Sequence, residues 1–238
     1  MTTQPRSRRF ISPLGLQVPP LESGDRLTQV EFERRYCAMP EVRKAELVEG
    51  VVYVASPLRF EPHAEPHGDL VTWLGVYKAM TLGVRLGDNP TVRLDLDNQP
   101  QPDAVLLIDA QSGGQSHLGE DGYIEGAPEL VAEVVASSAA IDLGDKKRAY
   151  RRNGVQEYLV WQVFDQKFDW FSLQNGDYDS LPLEQDGVIR SQVFPGLWLE
   201  VAALLNHDMP QVLTVLQAGL GTDEHKRFAQ QLAAHREL

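Results

Sequence analysis

The segment from Leu130 to Ala136 reads LVAEVVA, an apolar run with a glutamate at its centre. Runs of this length, rich in β-branched residues, are typical of a strand that is covered on both faces of a sheet. Glu133 would then be buried, and an isolated buried carboxylate costs several kcal/mol unless it is paired, neutralised or bound to a cation. The segment therefore predicts a central sheet and a partner for Glu133.

A second apolar strand carries a second acid. Residues 104–108 read AVLLI, and Asp103 stands at the entrance of this strand, directly after Pro102. Two carboxylates on neighbouring central strands can share one Mg²⁺ or Mn²⁺, with water and a substrate phosphate completing the coordination. Two alternatives stay open: Glu133 pairs with a lysine or arginine, or its strand is an edge strand with one face in water.

The helix predicted after the Glu133 strand supplies a cation. Asp142, Lys146 and Tyr150 are spaced four residues apart, so they lie on one helix face, and Lys146 could point back toward the strand. A lysine beside a metal-bound water can orient that water and can stabilise charge on a phosphoryl oxygen. The alternative is an exposed Asp142–Lys146 pair that contributes a few tenths of a kcal/mol.

Charge and composition limit the classes of function. The formal net charge of −12 over 238 residues argues against nonspecific coating of nucleic acid, which draws on many basic side chains. A local basic cluster could still contact a DNA backbone, and its alternative is a solvated helix face. The cluster consists of Lys146, Lys147, Arg148, Arg151 and Arg152.

The compartment is predicted from what the sequence lacks. Neither a signal-peptide-like apolar run nor a bilayer-spanning stretch occurs, so we expect a cytoplasmic protein without membrane partners. A single cysteine, Cys37, excludes an intrachain disulfide and a thiolate metal cluster.

The rest of the chain predicts one mixed α/β domain. Thr28 and Glu31 have capping-box spacing at the start of a first helix, and a second helix is predicted to open at His67. Strands are predicted in AELVEGVVYVAS (as a hairpin or one bent strand), TVRLDLD, DAVLLID, EYLVWQVF, KFDWFSL and YDSLPL, with a turn at QNGD. Helices are predicted again from Leu199, with Gly154 ending the helix that follows Glu133.

Three regions are predicted from this pattern. Residues 1–25 are rich in proline and predict an extended N-terminal arm. Residues 26–205 form the α/β domain with a central mixed sheet flanked by helices, and residues 206–238 form a C-terminal helical extension.

Weaker signals carry other predictions. His63 and His67 have a metal-like spacing, but Pro66 between them is expected to prevent a regular helix through the pair. Ser137 and Ser138 are expected to cap the following helix.

Six segments follow one another in a characteristic order: AELVEGVVYVASP, a histidine before an amphipathic helix, QPDAVLLID, GAPELVAEVVASS, DLGDKKRAYRRNGVQEYLV and VFPGLWLE. In this order they resemble the Uma-type putative restriction endonuclease family of the PD-(D/E)XK nuclease superfamily, over roughly residues 26–205. The resemblance implies a restriction-endonuclease-like fold and a Mg²⁺- or Mn²⁺-dependent endonuclease that hydrolyses DNA phosphodiester bonds. It also makes a homodimer plausible, because double-strand cleavage commonly uses two sites.

The resemblance assigns roles by position. Pro102–Asp103 corresponds to the Pro-Asp motif and Glu133 to the central acid, so that Asp103 and Glu133 would bind the metal. The superfamily lysine would fall at Val135, and the resembled family typically carries it on the next helix, which here gives Lys146. Glu46 corresponds to an acid bordering the site.

The sequence departs from the family pattern at two positions, and these departures bear on the alternative function. Ala136 stands where the family usually has serine, and Leu159 stands where an aromatic residue usually follows Glu-Tyr. The competing hypothesis is a catalytically weak or inactive module of the same fold that binds a protein or a nucleic acid. The acidic net charge is its strongest support.

Overall fold

A computed structural model describes residues 10–11, 17–55, 59–136 and 139–236. Most of the predicted N-terminal arm, and the caps predicted at Ser137 and Ser138, lie outside these ranges. Among the described residues no helix combines the length and the apolar character needed to cross a bilayer.

The elements are numbered in chain order. The α-helices in the described ranges are α1 (Gln29–Cys37), α2 (Glu65–Met80), α3 (Ala139–Ile141), α4 (Lys147–Asn153), α5 (Val201–Leu205), α6 (Met209–Leu220) and α7 (Asp223–His235). Single π-turns cover Phe60–Ala64 and Asp142–Lys146, and a 3₁₀ turn covers Ala110–Ser112. The strands are β1 (Phe10–Ile11), β2 (Gln17–Val18), β3 (Ala45–Val48), β4 (Val51–Val54), β5 (Val84–Asp88), β6 (Val92–Arg93), β7 (Ala104–Ile108), β8 (His117–Leu118), β9 (Ile124–Glu125), β10 (Leu130–Val135), β11 (Glu157–Gln162), β12 (Lys167–Gln174), β13 (Asp177–Ser180), β14 (Val188–Arg190) and β15 (Trp198–Glu200).

A six-stranded sheet forms the centre of the molecule, in the order β13-β12-β11-β10-β7-β5. Strands β10 and β11 are parallel, and the other neighbours in this sheet are antiparallel. Strand β10 lies between β11 and β7, and all six of its residues are buried. The predicted mixed sheet with flanking helices is therefore confirmed, and the apolar run around Glu133 is a central strand.

The two faces of β10 belong to different cores. Leu130, Ala132 and Val134 pack with α2 and with apolar residues of α5, α6 and α7. Val131 and Val135 pack on the opposite side, with Tyr150 of α4 and Tyr158 of β11. Because side chains alternate along a strand, Glu133 points to the same side as Val131 and Val135, toward α4.

The helices after residue 206 contribute to the larger of these cores. Val212 and Leu216 of α6 and Leu232 of α7 are buried in the cluster that includes the central sheet. The boundary predicted at residue 206 stays a prediction, but these helices pack on the sheet.

A third core lies under the β3–β4 hairpin and α1, and includes Phe32, Leu47 and Val52. The hairpin turn has positive φ at both central residues, 51° at Glu49 and 71° at Gly50, the geometry of a tight primed turn that matches strand twist. An isolated bridge between Leu47 and Gln99 joins the hairpin to the segment that leads into β7. The predicted hairpin is confirmed in this form.

The strands beside β7 differ from those predicted. TVRLDLD is a strand only at Val92–Arg93, because Asp95 and Asn98 form a tight bridge that turns the chain. The sheet neighbour of β7 on that side is instead β5, for which no strand was predicted. Pro66 lies in the first turn of α2, where its missing N–H is not needed, and the path through His63 and His67 is not one regular α-helix, because Phe60–Ala64 form a π-turn.

Candidate active site

A cavity of about 670 Å³ opens beside the end of β10. It lies where the β3–β4 hairpin, the start of β7, strand β10 and the turn before α4 meet. Charged and polar residues on its wall include Lys44, Glu46, Tyr53, Arg59, His63, Asp103, Glu133, Asp142 and Lys146. This volume is in the ≈ 300–1,000 Å³ range of small-molecule sites.

Lys146 lies at the centre of the acidic groups. Its Nζ is 3.0 Å from Glu46 Oε1, 3.0 Å from Glu133 Oε1 and 3.3 Å from Asp142 Oδ1, and the residue is 5% exposed. Burial disfavours the ammonium, but the three carboxylates outweigh this effect and raise the pKa of Lys146 well above its usual value. Lys146 is therefore a permanently charged donor at neutral pH.

Glu133 has two donors on one oxygen. Its Oε1 accepts hydrogen bonds from Lys146 Nζ at 3.0 Å and from the Tyr150 hydroxyl at 2.9 Å. Burial raises the pKa of Glu133, and the Lys146 ammonium opposes this rise, while the carboxylates of Asp103 and Asp142 add to it. The alternative in which Glu133 pairs with a basic residue thus holds in the structure, and that residue is the predicted Lys146.

Asp103 reaches the same pocket from β7. Ala104 of β7 pairs with Ala132 of β10, which places Asp103 beside Glu133 on the adjacent strand. The backbone N–H of Val134 donates to Asp103 Oδ2 at 2.8 Å. This main-chain bond fixes the carboxylate to the strand that carries Glu133.

Two basic side chains hold Asp103 from the other side. Lys44 Nζ lies 3.1 Å from Oδ1, and His63 Nε2 lies 3.3 Å from Oδ2. Burial alone would raise the pKa of Asp103, but the hydrogen bond from His63 and the charge of Lys44 outweigh it, and the pKa falls well below its usual value. Asp103 is thus ionised, whereas burial pushes Glu133 toward protonation.

The structure brings all four predicted site residues to one cavity: Asp103, Glu133 and Lys146 at the buried end and Glu46 on the hairpin side. Glu46 Oε1 also accepts a hydrogen bond from the Gln101 backbone N–H at 2.7 Å, so it ties the hairpin to the segment before Asp103. Their catalytic and metal-binding roles stay predictions.

His67, the histidine predicted to open the second helix, lies outside the cavity. His67 Nε2 is 3.1 Å from the backbone oxygen of Asp103 and 3.1 Å from Asp88 Oδ1, and His67 is not part of the cavity wall. His67 therefore supports the strand start from outside, whereas His63, one helical turn earlier, contacts the Asp103 carboxylate.

The basic cluster predicted to contact DNA is already engaged within the protein. Arg148 pairs with Asp145, and Arg151 pairs with Asp177. Arg152 pairs with Glu49 at 2.8 Å and Asp95 at 3.4 Å. Lys147 lies over the Phe171 ring, 3.3 Å from its centroid. These side chains face different neighbours and do not form one basic surface.

Lys44 and His63 were not among the predicted site residues. A signal for Lys44 exists, because it stands two residues before Glu46 in an extended segment and so points to the same side. His63 has a metal-like spacing to His67 in the sequence, but its contact with Asp103 could not be predicted, since it depends on how the π-turn before α2 packs. Tyr150 could be found from its four-residue spacing to Lys146.

The donor set fits a hard divalent cation. Four carboxyl groups, from Glu46, Asp103, Glu133 and Asp142, share the cavity wall with three cationic side chains, Lys44, Arg59 and Lys146, so oxygen ligands outnumber the cations by one residue. Within the described ranges no three His, Cys, Asp or Glu side chains are grouped so as to hold a metal by themselves. Mg²⁺ usually takes only one or two carboxylates and completes its shell with water and substrate oxygens, so the chemistry of these residues remains suitable.

A family model for Uma2, described as "Putative restriction endonuclease", matches residues 30–202. The chain belongs to the Uma2 family. The match includes all four predicted site residues and ends before α6 and α7. A search of curated proteins finds no match.

A solved structure supports the fold of this Uma2 member. The crystal structure of a putative nuclease belonging to DUF820 from Anabaena variabilis has a TM-score of 0.55 and 16% sequence identity. The alignment covers 72% of this chain and 96% of that chain. The likeness shows the mixed α/β, restriction-endonuclease-like fold, and together with the family it supports a nuclease-like role.

Proposed function

We propose that the chain is a Mg²⁺- or Mn²⁺-dependent endonuclease that hydrolyses DNA phosphodiester bonds. One observation carries the proposal: Asp103 and Glu133, on hydrogen-bonded neighbouring strands, share a cavity with a buried lysine that stays charged. The buried carboxylates outside the cavity, Glu129 and Glu157, are held by neutral donors instead; Glu129, for example, accepts from the backbone N–H groups of Ile108 and Gln115.

Each residue has a distinct role in this proposal. Asp103 and Glu133 hold the cation, which when bound would polarise the scissile phosphate and lower the pKa of a bound water. Lys146 donates hydrogen bonds that orient the attacking water or a phosphoryl oxygen, and it does not take a proton, because its pKa is raised. Glu46 is an accessory acid that fixes the Lys146 ammonium at 3.0 Å. A homodimer stays a prediction.

Metal binding is tested by thermal unfolding. Mn²⁺ at 100 times its Kd should stabilise the folded chain by about 2.7 kcal/mol, which raises Tm by roughly 5–11 °C for a chain of this size. We expect this rise in the wild type and its loss in Asp103→Asn and Glu133→Gln. Glu129→Gln is the matched control, since it alters a buried carboxylate outside the cavity and should lower Tm but keep the Mn²⁺ response.

Activity is tested by nicking of supercoiled plasmid with Mg²⁺ or Mn²⁺. Asp103→Asn, Glu133→Gln and Lys146→Met should each reduce the rate at least about 100-fold, the size expected when a preorganised charge is removed from a reaction site. Unchanged nicking in Asp103→Asn and Lys146→Met would refute the assignment. A wild type that binds DNA but cleaves neither plasmid nor single-stranded DNA would favour the inactive binding module, for which the Lys44–Asp103 pair at 3.1 Å is a specific observation.

A further inference from the structure

The mouth of the cavity differs in character from its buried end. Asp103 and Glu133 are each 3% exposed, whereas Phe164, on the same cavity wall, is 69% exposed. Arg59 is also exposed and also lines this wall. An aromatic ring and a guanidinium thus flank the entrance to the carboxylates.

The turn that carries Phe164 is hydrogen-bonded to the central sheet. It lies in the turn of residues 163–166 between β11 and β12, and the Val163 N–H donates to Val135 O at 3.0 Å, at the end of the strand that carries Glu133. The turn is closed by a bond from Gln166 N to Val163 O at 3.2 Å. In the described part of the chain the Phe164 ring packs against no other aromatic ring, so its face is available to a ligand.

The charge around the mouth is too small for duplex binding by phosphate contacts. Arg148, Arg151 and Arg152 are paired with acids, whereas Arg59 forms no ion pair among the residues that the structure describes. Proteins that bind duplex DNA electrostatically typically neutralise about 6–10 phosphates. Binding at this mouth therefore has to draw on something other than a basic surface.

Stacking of a base on an aromatic ring can supply this binding free energy. Exposed aromatic rings next to a few cations bind unpaired strands, because every base has a π-face that can stack when it is not inside a duplex. A phosphate must also reach carboxylates that are each 3% exposed, at the buried end of a cavity of about 670 Å³. The backbone of an unpaired strand is flexible and can bend into such a cavity more easily than the stiff backbone of a duplex.

We propose that the substrate is unpaired DNA, such as a single strand, flap or loop, in which one base stacks on Phe164 while Arg59 contacts a neighbouring phosphate. This inference rests on the proposed function, and it names the substrate class of the same site. Phe164 is then a specificity-determining residue.

Binding is measured by fluorescence anisotropy on the full chain in EDTA, which stops hydrolysis, with a labelled single-stranded oligonucleotide and its blunt duplex. The single strand should bind more tightly than the duplex. Phe164→Ala should weaken single-strand binding about 5- to 150-fold, the contribution of one stacked base, and leave duplex binding unchanged, whereas Phe164→Trp should retain it. Arg59→Ala should reduce the slope of log K against log salt by about 0.7, the value of one phosphate on a single strand.

Phe60→Ala is the matched control. Phe60 is likewise 69% exposed but is not part of the cavity wall, so its loss should leave single-strand affinity unchanged. Equal binding of duplex and single strand, no effect of Phe164→Ala, or an equal loss in Phe60→Ala would overturn the inference.

Cleavage separates this inference from the proposed function. If the wild type cuts duplex as fast as single strand and Phe164→Ala has no effect, the nuclease stands and the substrate class is wrong. If the wild type cuts neither with Mg²⁺ or Mn²⁺ but binds the single strand through Phe164, the nuclease is wrong and the stacking site stands.

Discussion

Methionine in place of Lys146 would keep an apolar stem of similar length and remove the ammonium that Glu46, Glu133 and Asp142 share. Lys146 is 5% exposed, so water cannot readily replace the lost charge. Removal of one partner from a buried ion pair costs about 3–5 kcal/mol, because the remaining charge is left uncompensated. With three carboxylates left behind, we expect a loss near the upper end of this range at pH 8.

The destabilisation caused by Lys146→Met should increase with pH. Burial already raises the pKa of Glu133 and of Asp142 in the wild type, and removal of the ammonium raises both further. A carboxyl whose folded pKa lies above its unfolded value stabilises the fold at low pH and loses that contribution as pH rises. The destabilisation by Lys146→Met should therefore be smaller at pH 5 than at pH 8.

Urea unfolding at pH 5, 6.5 and 8 measures this difference, with the wild type examined at each pH. Lys147→Met is the matched control: Lys147 is half-buried and lies over the Phe171 ring, so its loss should cost about 0.5–1 kcal/mol, with little change over this pH range. A cost below about 1 kcal/mol for Lys146→Met, or a cost that does not change between pH 5 and 8, would refute the charge balance described for the cavity.

Two further predictions concern the packing outside the cavity. Burial raises the pKa of Glu157 to about 6. The stability advantage of the wild type over Glu157→Gln should therefore fall by about 1.6 kcal/mol between pH 4.5 and 7 in urea unfolding, and an advantage that grows with pH would contradict this. Gly219→Ala would place a Cβ 2.3 Å from the Gly196 carbonyl oxygen, and we expect it to cost about 3 kcal/mol in the same assay. Gly221→Ala is the control, since its Cβ would lie 3.4 Å from its nearest neighbour, and an equal loss there would refute the packing argument.

The parts of the site that could be predicted depend on the central strands. Glu133 could be found because an acid inside an apolar run is costly, and Asp103 because it opens the neighbouring run. Lys146 followed from its spacing to Asp142 and Tyr150, although Asp142–Lys146 forms a π-turn and not a regular α-helical turn. These predictions rest on apolar runs and residue spacings, which are visible in the sequence without knowledge of the fold.

The rest depends on contacts between distant segments. Lys44 and His63 reach Asp103 only because the segment before the hairpin and the turn before α2 both pack beside it, one at each carboxylate oxygen. Strand β5 could not be predicted from VRLGD, which has a short, partly polar pattern, because its pairing with β7 decides its conformation. Asp103 and Glu133, for which one shared cation is predicted, each pair with a lysine of their own, Lys44 and Lys146, and the shared cation stays a prediction.

The β3–β4 hairpin supplies Glu46, and the extended residues before it supply Lys44, yet its apolar residues belong to a core of their own with α1 rather than to the cores of the central sheet. Segments with separate cores can open by sub-global unfolding at a lower free energy than the whole molecule. A single local opening event would then remove a cation from Asp103 and an anion from Lys146 at once. We therefore expect the arrangement of charges in the cavity to depend on the stability of this hairpin unit, and to be lost on local opening while the central sheet remains folded.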